Sequence, residues 1–193
     1  CGIEPSDAVG VAREYTSGCP NVKFINESIY DVEPTEQFDY VLCLGVLHHL
    51  PHPVDAVRKI HSLTKSGGRA VIWVYGKEGN RTYLIISGIL RFFTTRIPHK
   101  ALDVLSKALT YPLKWYIALC KKVPLPMRSY MLNVLGKYDD YTLTLTIYDQ
   151  LNPSIAEYWS RSEFESILRA GGFADCKLYH RHGYSWTAIM EKP

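Results

Sequence analysis

Apolar positions along this chain follow two rhythms, and the change from one to the other marks out its parts. Gly2 to Glu4 reads as the end of a strand, and Ser6 is placed to N-cap a helix from Asp7 to about Ser17. Ala8, Val9, Ala12 and Tyr15 form that helix's apolar side, and Gly18 is its expected stop. Val22 to Ile25 reads as a short strand. Phe38 to Val46, FDYVLCLGV, is nearly continuous in apolar character, the pattern of a strand buried on both faces of a parallel sheet. Pro53 suits a first helical position, Val54, Val57, Ile60 and Leu63 recur at helical spacing, and Gly67-Gly68 is expected to close that helix. Arg69 to Tyr75 reads as another buried strand. The order β-α-β-β-α-β over residues 1–75 predicts an α/β, doubly wound, mostly parallel sheet.

The C-terminal end has its own pattern. Ser162 with Glu165 reads as a capping box, followed by Phe164, Ile167 and Leu168 and a Gly171-Gly172 stop. FADCKLYHR and WTAIMEK flank HGYS, which predicts an antiparallel strand pair joined by a tight turn. Between the two ends lies block 81–150, helical by pattern to about Leu135. Its apolar stretches are Leu84, Ile85, Ile89, Leu90, Phe92 and Phe93, then Leu102, Leu105 and Leu109, then Leu113, Trp115, Tyr116 and Leu119. Prolines 98, 112, 124 and 126 are expected to cut it into short helices. Tyr141 to Tyr148, YTLTLTIY, alternates strictly and reads as a candidate strand. The expected organisation is a core of residues 1–80 and 151–193 with a helical insertion, 81–150.

Composition narrows the class. The chain has 193 residues, 47% of them hydrophobic, enough for a packed core. The net charge of +3 hides an asymmetry. Residues 81–137 carry ten Lys or Arg against the single acid Asp103, a net +9, which leaves −6 over the remainder. That basic block is rich in apolar residues of the buried type and holds no recognised nucleic-acid module, which disfavours a nucleic-acid partner. The five cysteines, Cys1, Cys19, Cys43, Cys120 and Cys176, are odd in number and form no CxxC pair. They suit a reduced, cytoplasmic protein better than a disulfide framework or a zinc site. No apolar run approaches the ~20 residues needed to span a bilayer.

Candidate chemistry gathers at strand ends, where open α/β sheets bind ligands. Glu4 stands at one such end. An acid there can accept both hydroxyls of a nucleotide ribose, or it can simply complement a helix N-terminus. HHLPH presents His48, His49 and His52, but Pro51 and Pro53 deny them a shared helical face, and no metal site is expected. One of His48 or His49 is a candidate catalytic base. Tyr75, at the carboxyl end of its strand, is a candidate for acceptor contact.

GIEPS, VKFINESIYDV, FDYVLCLGVLHHL and LTKSGGRAVIWVY, in this order and spacing, resemble the class I S-adenosylmethionine-dependent methyltransferases of the small-molecule type. The resemblance implies a Rossmann-like sheet with an antiparallel C-terminal pair, and S-adenosylmethionine as cofactor. It implies that Glu4 holds the ribose hydroxyls, that Pro5 and Ser6 line the adenine edge, and that Glu27, Ser28 and Ile29 form the adenine-contacting loop. The family usually has Asp where Ser28 stands. Cys43, Leu44 and Gly45 fall where backbone carbonyls receive the methionine ammonium. Tyr148 and Asp149, in YDQLNP, match a stretch bordering the acceptor in similar enzymes.

The same resemblance implies that the family's N-terminal strand-helix unit, with its glycine-rich loop, is missing ahead of Gly2. An upstream segment or a dimer partner is then expected to fill the central place in the sheet. The expected reaction is methyl transfer to a small-molecule or lipid-linked acceptor, most simply on oxygen. The basic block is then a lid, with peripheral membrane contact as its sharper use. The alternatives are a non-catalytic domain of the same fold that acts by binding, and an NAD-dependent oxidoreductase, against which the antiparallel pair argues.

Overall fold

A computed structural model describes residues 1–80, 84, 88, 94, 96–152 and 155–193. The apolar positions 85, 89, 90, 92 and 93 singled out above lie outside the described residues, as does Pro153 of YDQLNP. The chain divides into two compact units: residues 1–76, 157–181 and 185–193 in one, residues 77–156 and 182–184 in the other.

The first unit is α/β. Strand β1 (Gly2–Ile3) pairs in parallel with β2 (Phe24–Ile25), with helix α1 (Ala8–Tyr15) between them in sequence. A four-stranded sheet has the order β3 (Phe38–Leu44), β4 (Thr64–Tyr75), β6 (Ser185–Glu191), β5 (Cys176–Arg181). The β3–β4 ladder is parallel, and β4–β6 and β6–β5 are antiparallel. The two sheets share no ladder among the described residues, and β1 pairs with β2 rather than β3. One edge of β3 is therefore unpaired among the described strands.

Helices α2 (Pro53–Leu63) and α6 (Arg161–Ala170) cover one face of this sheet. Ala56, Val57 and Ile60 of α2 and Phe164 and Leu168 of α6 pack with Ala70, Ile72, Val74, Ala188 and Met190 in one core. The helices themselves meet at Gly171, where any Cβ would collide with Val57. Along β4 the buried residues alternate with the others, as a strand covered on one face requires.

Several expectations change here. The Phe38–Val46 run is not buried on both faces: Tyr40, Leu42 and Leu44 are 69%, 64% and 57% exposed, because no helix of the unit covers that side of β3. Tyr15 of α1 is likewise exposed, and of its apolar side Val9 alone is fully buried. Gly67-Gly68 does not end α2. The helix stops at Leu63, the backbone turns extended at Thr64, and the two glycines lie in an irregular stretch where Phe38 pairs with Thr64 but Tyr40 with Arg69. Gly67 has φ 74° there, and residues 67 and 68 are bonded to Lys192 through the backbone. The capping box is Ser160 with Glu163, one half-turn earlier than read, because Glu165 instead accepts from Arg169 at 2.9 Å.

The second unit is helical. Helix α3 (His99–Lys122) runs 24 residues and continues through Pro112, where the sequence predicts a break. The missing N–H costs one ladder bond. The buried stripe Leu102, Ser106, Thr110, Ile117 and Cys120 continues past it and offsets the loss. Helix α4 (Arg128–Asn133) follows. The YTLTLTIY stretch lies in helix α5 (Asp140–Leu151), not in a strand. Asp139 caps it by accepting from the Thr142 amide at 2.7 Å. The Thr144 and Thr146 hydroxyls donate to the carbonyls four residues back, so the β-branched residues are satisfied within the helix. Helices α3 and α5 run antiparallel, joined by Lys114 to Asp140 at 2.7 Å and by Thr110 to Thr144 at 2.8 Å.

Candidate active site

The ends of β1 and β2 are tied together. The Glu4 amide donates to the Ile25 carbonyl at 3.0 Å. The Asn26 side chain then donates to the Glu4 carbonyl at 2.8 Å and to the Ser6 carbonyl at 3.4 Å. Glu4, Pro5 and Ser6 are thereby held beside the segment that carries Glu27, Ser28 and Ile29. Asn26 had not been singled out in the sequence; its position directly after an expected strand was the signal.

Glu4 Oε1 accepts from both the Ser6 amide, at 2.9 Å, and the Ser6 hydroxyl, at 2.5 Å. These bonds favour the charged form and lower the Glu4 carboxyl below its ordinary value, the hydroxyl bond contributing most. Glu4 therefore stands as a half-exposed carboxylate at the strand end. Ser6 Oγ also accepts from the Ala8 amide at 3.3 Å, but it is not the N-cap expected of it: that position falls to Asp7, which makes no side-chain cap bond.

The Ser28–Val32 turn is built on Ser28. Its carbonyl accepts from the Asp31 and Val32 amides, and its hydroxyl accepts from the Tyr30 amide at 3.4 Å. Ile29 packs against the main core. Glu27 is exposed.

At the end of β3, the Gly45 amide donates to the Trp73 carbonyl at 3.1 Å. In a parallel ladder successive residues turn their polar groups to opposite edges. Cys43 thus faces β4 as Gly45 does, while the Leu44 and Leu42 carbonyls point to the unpaired edge. Gly45 adopts φ 76°, and the Trp73 ring lies 3.6 Å from the place of its missing Cβ. Cys43 is held as a neutral thiol: burial pushes it up to about 11, against a smaller opposing bond from the Leu47 backbone.

Beyond Gly45 a 3-10 turn (Leu47–His49) places the histidine pair. His48 is fully buried, its ring 4.7 Å from that of Tyr75 and 6.1 Å from that of Trp73, and its carbonyl accepts from the Glu157 amide. His49 is half-buried and is the member of the pair that reaches the surface. Tyr75 is enclosed by rings: Trp73 at 5.0 Å edge-on and Tyr158 stacked at 5.3 Å. Trp73 and Tyr158 were not anticipated as partners of Tyr75. Trp73 lies two residues before it on the same face of the strand, which was legible, whereas Tyr158 comes from distant sequence. Among the described residues no three metal-capable side chains gather around these histidines or elsewhere.

Tyr148 and Asp149 belong to α5 in the helical unit. The Tyr148 hydroxyl lies 2.7 Å from His99 Nδ1, and Asp149 is exposed.

The chain is similar to known proteins in sequence and in fold. Residues 1–70 match the family described as Methyltransferase domain. Over 68 residues the chain is 26% identical to the tRNA U34 carboxymethyltransferase of Alteromonas mediterranea, a match covering 35% of this chain and 20% of that protein. PKMT2 from Rickettsia typhi superposes with a TM-score of 0.64 at 13% identity, over 99% of this chain and 43% of that one. Human N-acetylserotonin methyltransferase, solved in complex with SAM, superposes at 0.52 and 13% identity, over 98% of this chain and 39% of that one. The chain thus spans about two fifths of each of these structures and one fifth of the sequence relative. Residues 1–70 thus match a methyltransferase domain, and over nearly all its length the chain shares the fold of solved methyltransferases.

Proposed function

We propose that this protein binds S-adenosylmethionine and transfers its methyl group to an oxygen of a small-molecule or lipid-linked acceptor. The observation that carries this reading is the Glu4 carboxylate, ionised and fixed at the strand end by Ser6 and Asn26. Both Ser6 donors converge on Oε1, so Oε2 is the oxygen presented to an incoming ribose hydroxyl. The match of residues 1–70 to methyltransferase domains, and the SAM complex of a protein with the same fold, support it.

The residues present fit the cofactor in three places. Glu4 would accept from the ribose hydroxyls. The loop Glu27, Ser28 and Ile29, with Pro5 and Ser6, would border the adenine. The Leu44 carbonyl, turned to the free edge of β3, would accept from the methionine ammonium, and Gly45 leaves room for it. The bound cofactor would supply an already electrophilic methyl group. The protein's part is then alignment and exclusion of water. His49 would take the proton of a hydroxyl acceptor and Tyr75 would contact the acceptor itself, roles that their half-buried positions support.

Calorimetric titration tests the reading. S-adenosylmethionine should bind and NAD should not. Binding of NAD alone would assign the site to another chemistry.

A further inference from the structure

The outward face of helix α3 carries a pattern that methyl transfer does not use. Its buried stripe, Leu102, Ser106, Thr110, Ile117 and Cys120, spans about 80° of the helix at ~100° per residue. Opposite it stand Val104, Tyr111 and Trp115, 65%, 75% and 79% exposed, within a sector of about 40°. Ala108 and Leu119, also exposed, widen that apolar strip. Lys100, Lys107, Lys114 and Lys121 recur every seventh residue, so they drift only ~20° per step and line one border of the strip. The stripe is about 31 Å long at ~1.5 Å per residue.

We propose that this face docks on an anionic lipid surface. Aromatic and aliphatic groups at the centre suit the headgroup boundary. Lysines at the border can lay their methylenes along it and reach anionic headgroups. Five lysines against Asp103 give the helix a net +4. Two of the cations are partly neutralised, Lys107 by Asp103 and Lys114 by Asp140, both on the exposed surface. No helix among the described residues is long and apolar enough to cross a membrane, so contact lies in the interface plane. A second copy of the chain is a poorer occupant, because in an antiparallel pair of such faces lysine stripe would meet lysine stripe, and in a parallel pair no acidic stripe would face the lysines. A nucleic acid would be better served by cations spread along the whole strip, whereas four of the five lysines keep to its border and Lys122 alone falls within it, at the C-terminal end of the helix.

The inference does not rest on the methyl-transfer reading. Cosedimentation of the intact protein with phosphatidylserine–phosphatidylcholine vesicles, and with phosphatidylcholine alone, tests it at low and at physiological salt. Binding should require the anionic lipid, weaken with salt, and fall at least tenfold in Lys100→Gln/Lys107→Gln/Lys121→Gln. Trp115→Ala, a change at a surface position, should reduce it independently, and brominated lipid should quench less fluorescence in Trp115→Phe than in the parent. Absence of vesicle binding at low salt, equal binding to both lipids, or indifference to these substitutions would overturn it. Binding of single-stranded RNA without vesicle binding would overturn it too and assign the face to nucleic acid.

Discussion

The Asn26 side-chain amide donates to the Glu4 carbonyl at 2.8 Å, tying the end of one parallel strand to the residue that follows its neighbour. Each of these two strands is only two residues long, so their own ladder does little to fix the position of Glu4. Asn26→Ala should cost about 0.5–1.5 kcal/mol of stability, the net worth of a hydrogen bond. It should also weaken S-adenosylmethionine binding without removing any group that touches the ligand. Urea unfolding and calorimetry on one preparation separate the two effects. Unchanged affinity would mean that Glu4 is positioned by Ser6 alone.

Gly171→Ala tests the packing beneath the sheet. A methyl there meets Val57, which is fully buried, so neither side can yield into solvent. Overpacking of this kind costs about 1–3 kcal/mol. A denaturation midpoint equal to the parent's would show that α2 and α6 can separate freely.

Thiol reactivity should sort the cysteines by burial. Cys19 is exposed, Cys120 fully buried, and Cys43 is pushed up to about 11 by desolvation. The thiolate is the reactive form. At pH 8 a disulfide reagent should modify Cys19 rapidly and leave Cys43 and Cys120 until the protein unfolds, as peptide mass spectrometry would reveal. Labelling of Cys43 as fast as Cys19 would place it on the surface.

Acid should destabilise the first unit through His61. Burial, and secondarily the Lys192 charge, hold this imidazole below its ordinary value of 6.5. Its folded form refuses a proton that the unfolded chain accepts. The associated stability is therefore present above 6.5 and is lost as pH falls below it toward the depressed folded value. The urea midpoint should drop between pH 7.5 and 5.5, and His61→Asn should flatten that drop. An identical slope in the variant would remove His61 as a cause.

Much of this architecture was legible because local signals agreed with the tertiary outcome. The β-α-β-β-α-β rhythm, Pro53 at a helix start and the C-terminal hairpin each rest on short-range chemistry that packing left alone. The misreadings arose where two local signals competed. YTLTLTIY alternates like a strand, yet Leu143 and Leu151, eight apart, share the buried face of a helix, and Asp139 caps it. Two overlapping Ser-x-x-Glu pairs offered two helix starts, and the Arg169–Glu165 pair fits only one of them. Pro112 marks a break in propensity, but the buried stripe on either side of it outweighs the lost bond. At the site, Glu4 is legible from its position at a strand end, whereas Gly45 enters only through the family resemblance. Asn26, Trp73 and Tyr158 matter through contacts whose partners no periodicity identifies.

The central claim, that the Glu4 carboxylate holds the ribose of S-adenosylmethionine, is tested most directly by calorimetric titration of S-adenosylmethionine into the protein and its Glu4→Ala variant. The carboxylate's charge-assisted hydrogen bonds predict a loss of about 1–3 kcal/mol, roughly five- to 150-fold in dissociation constant. The loss should grow smaller as pH falls through the depressed carboxyl value, where the parent's own Glu4 is protonated. Equal dissociation constants for parent and variant at neutral pH would contradict the account and remove Glu4 from the site.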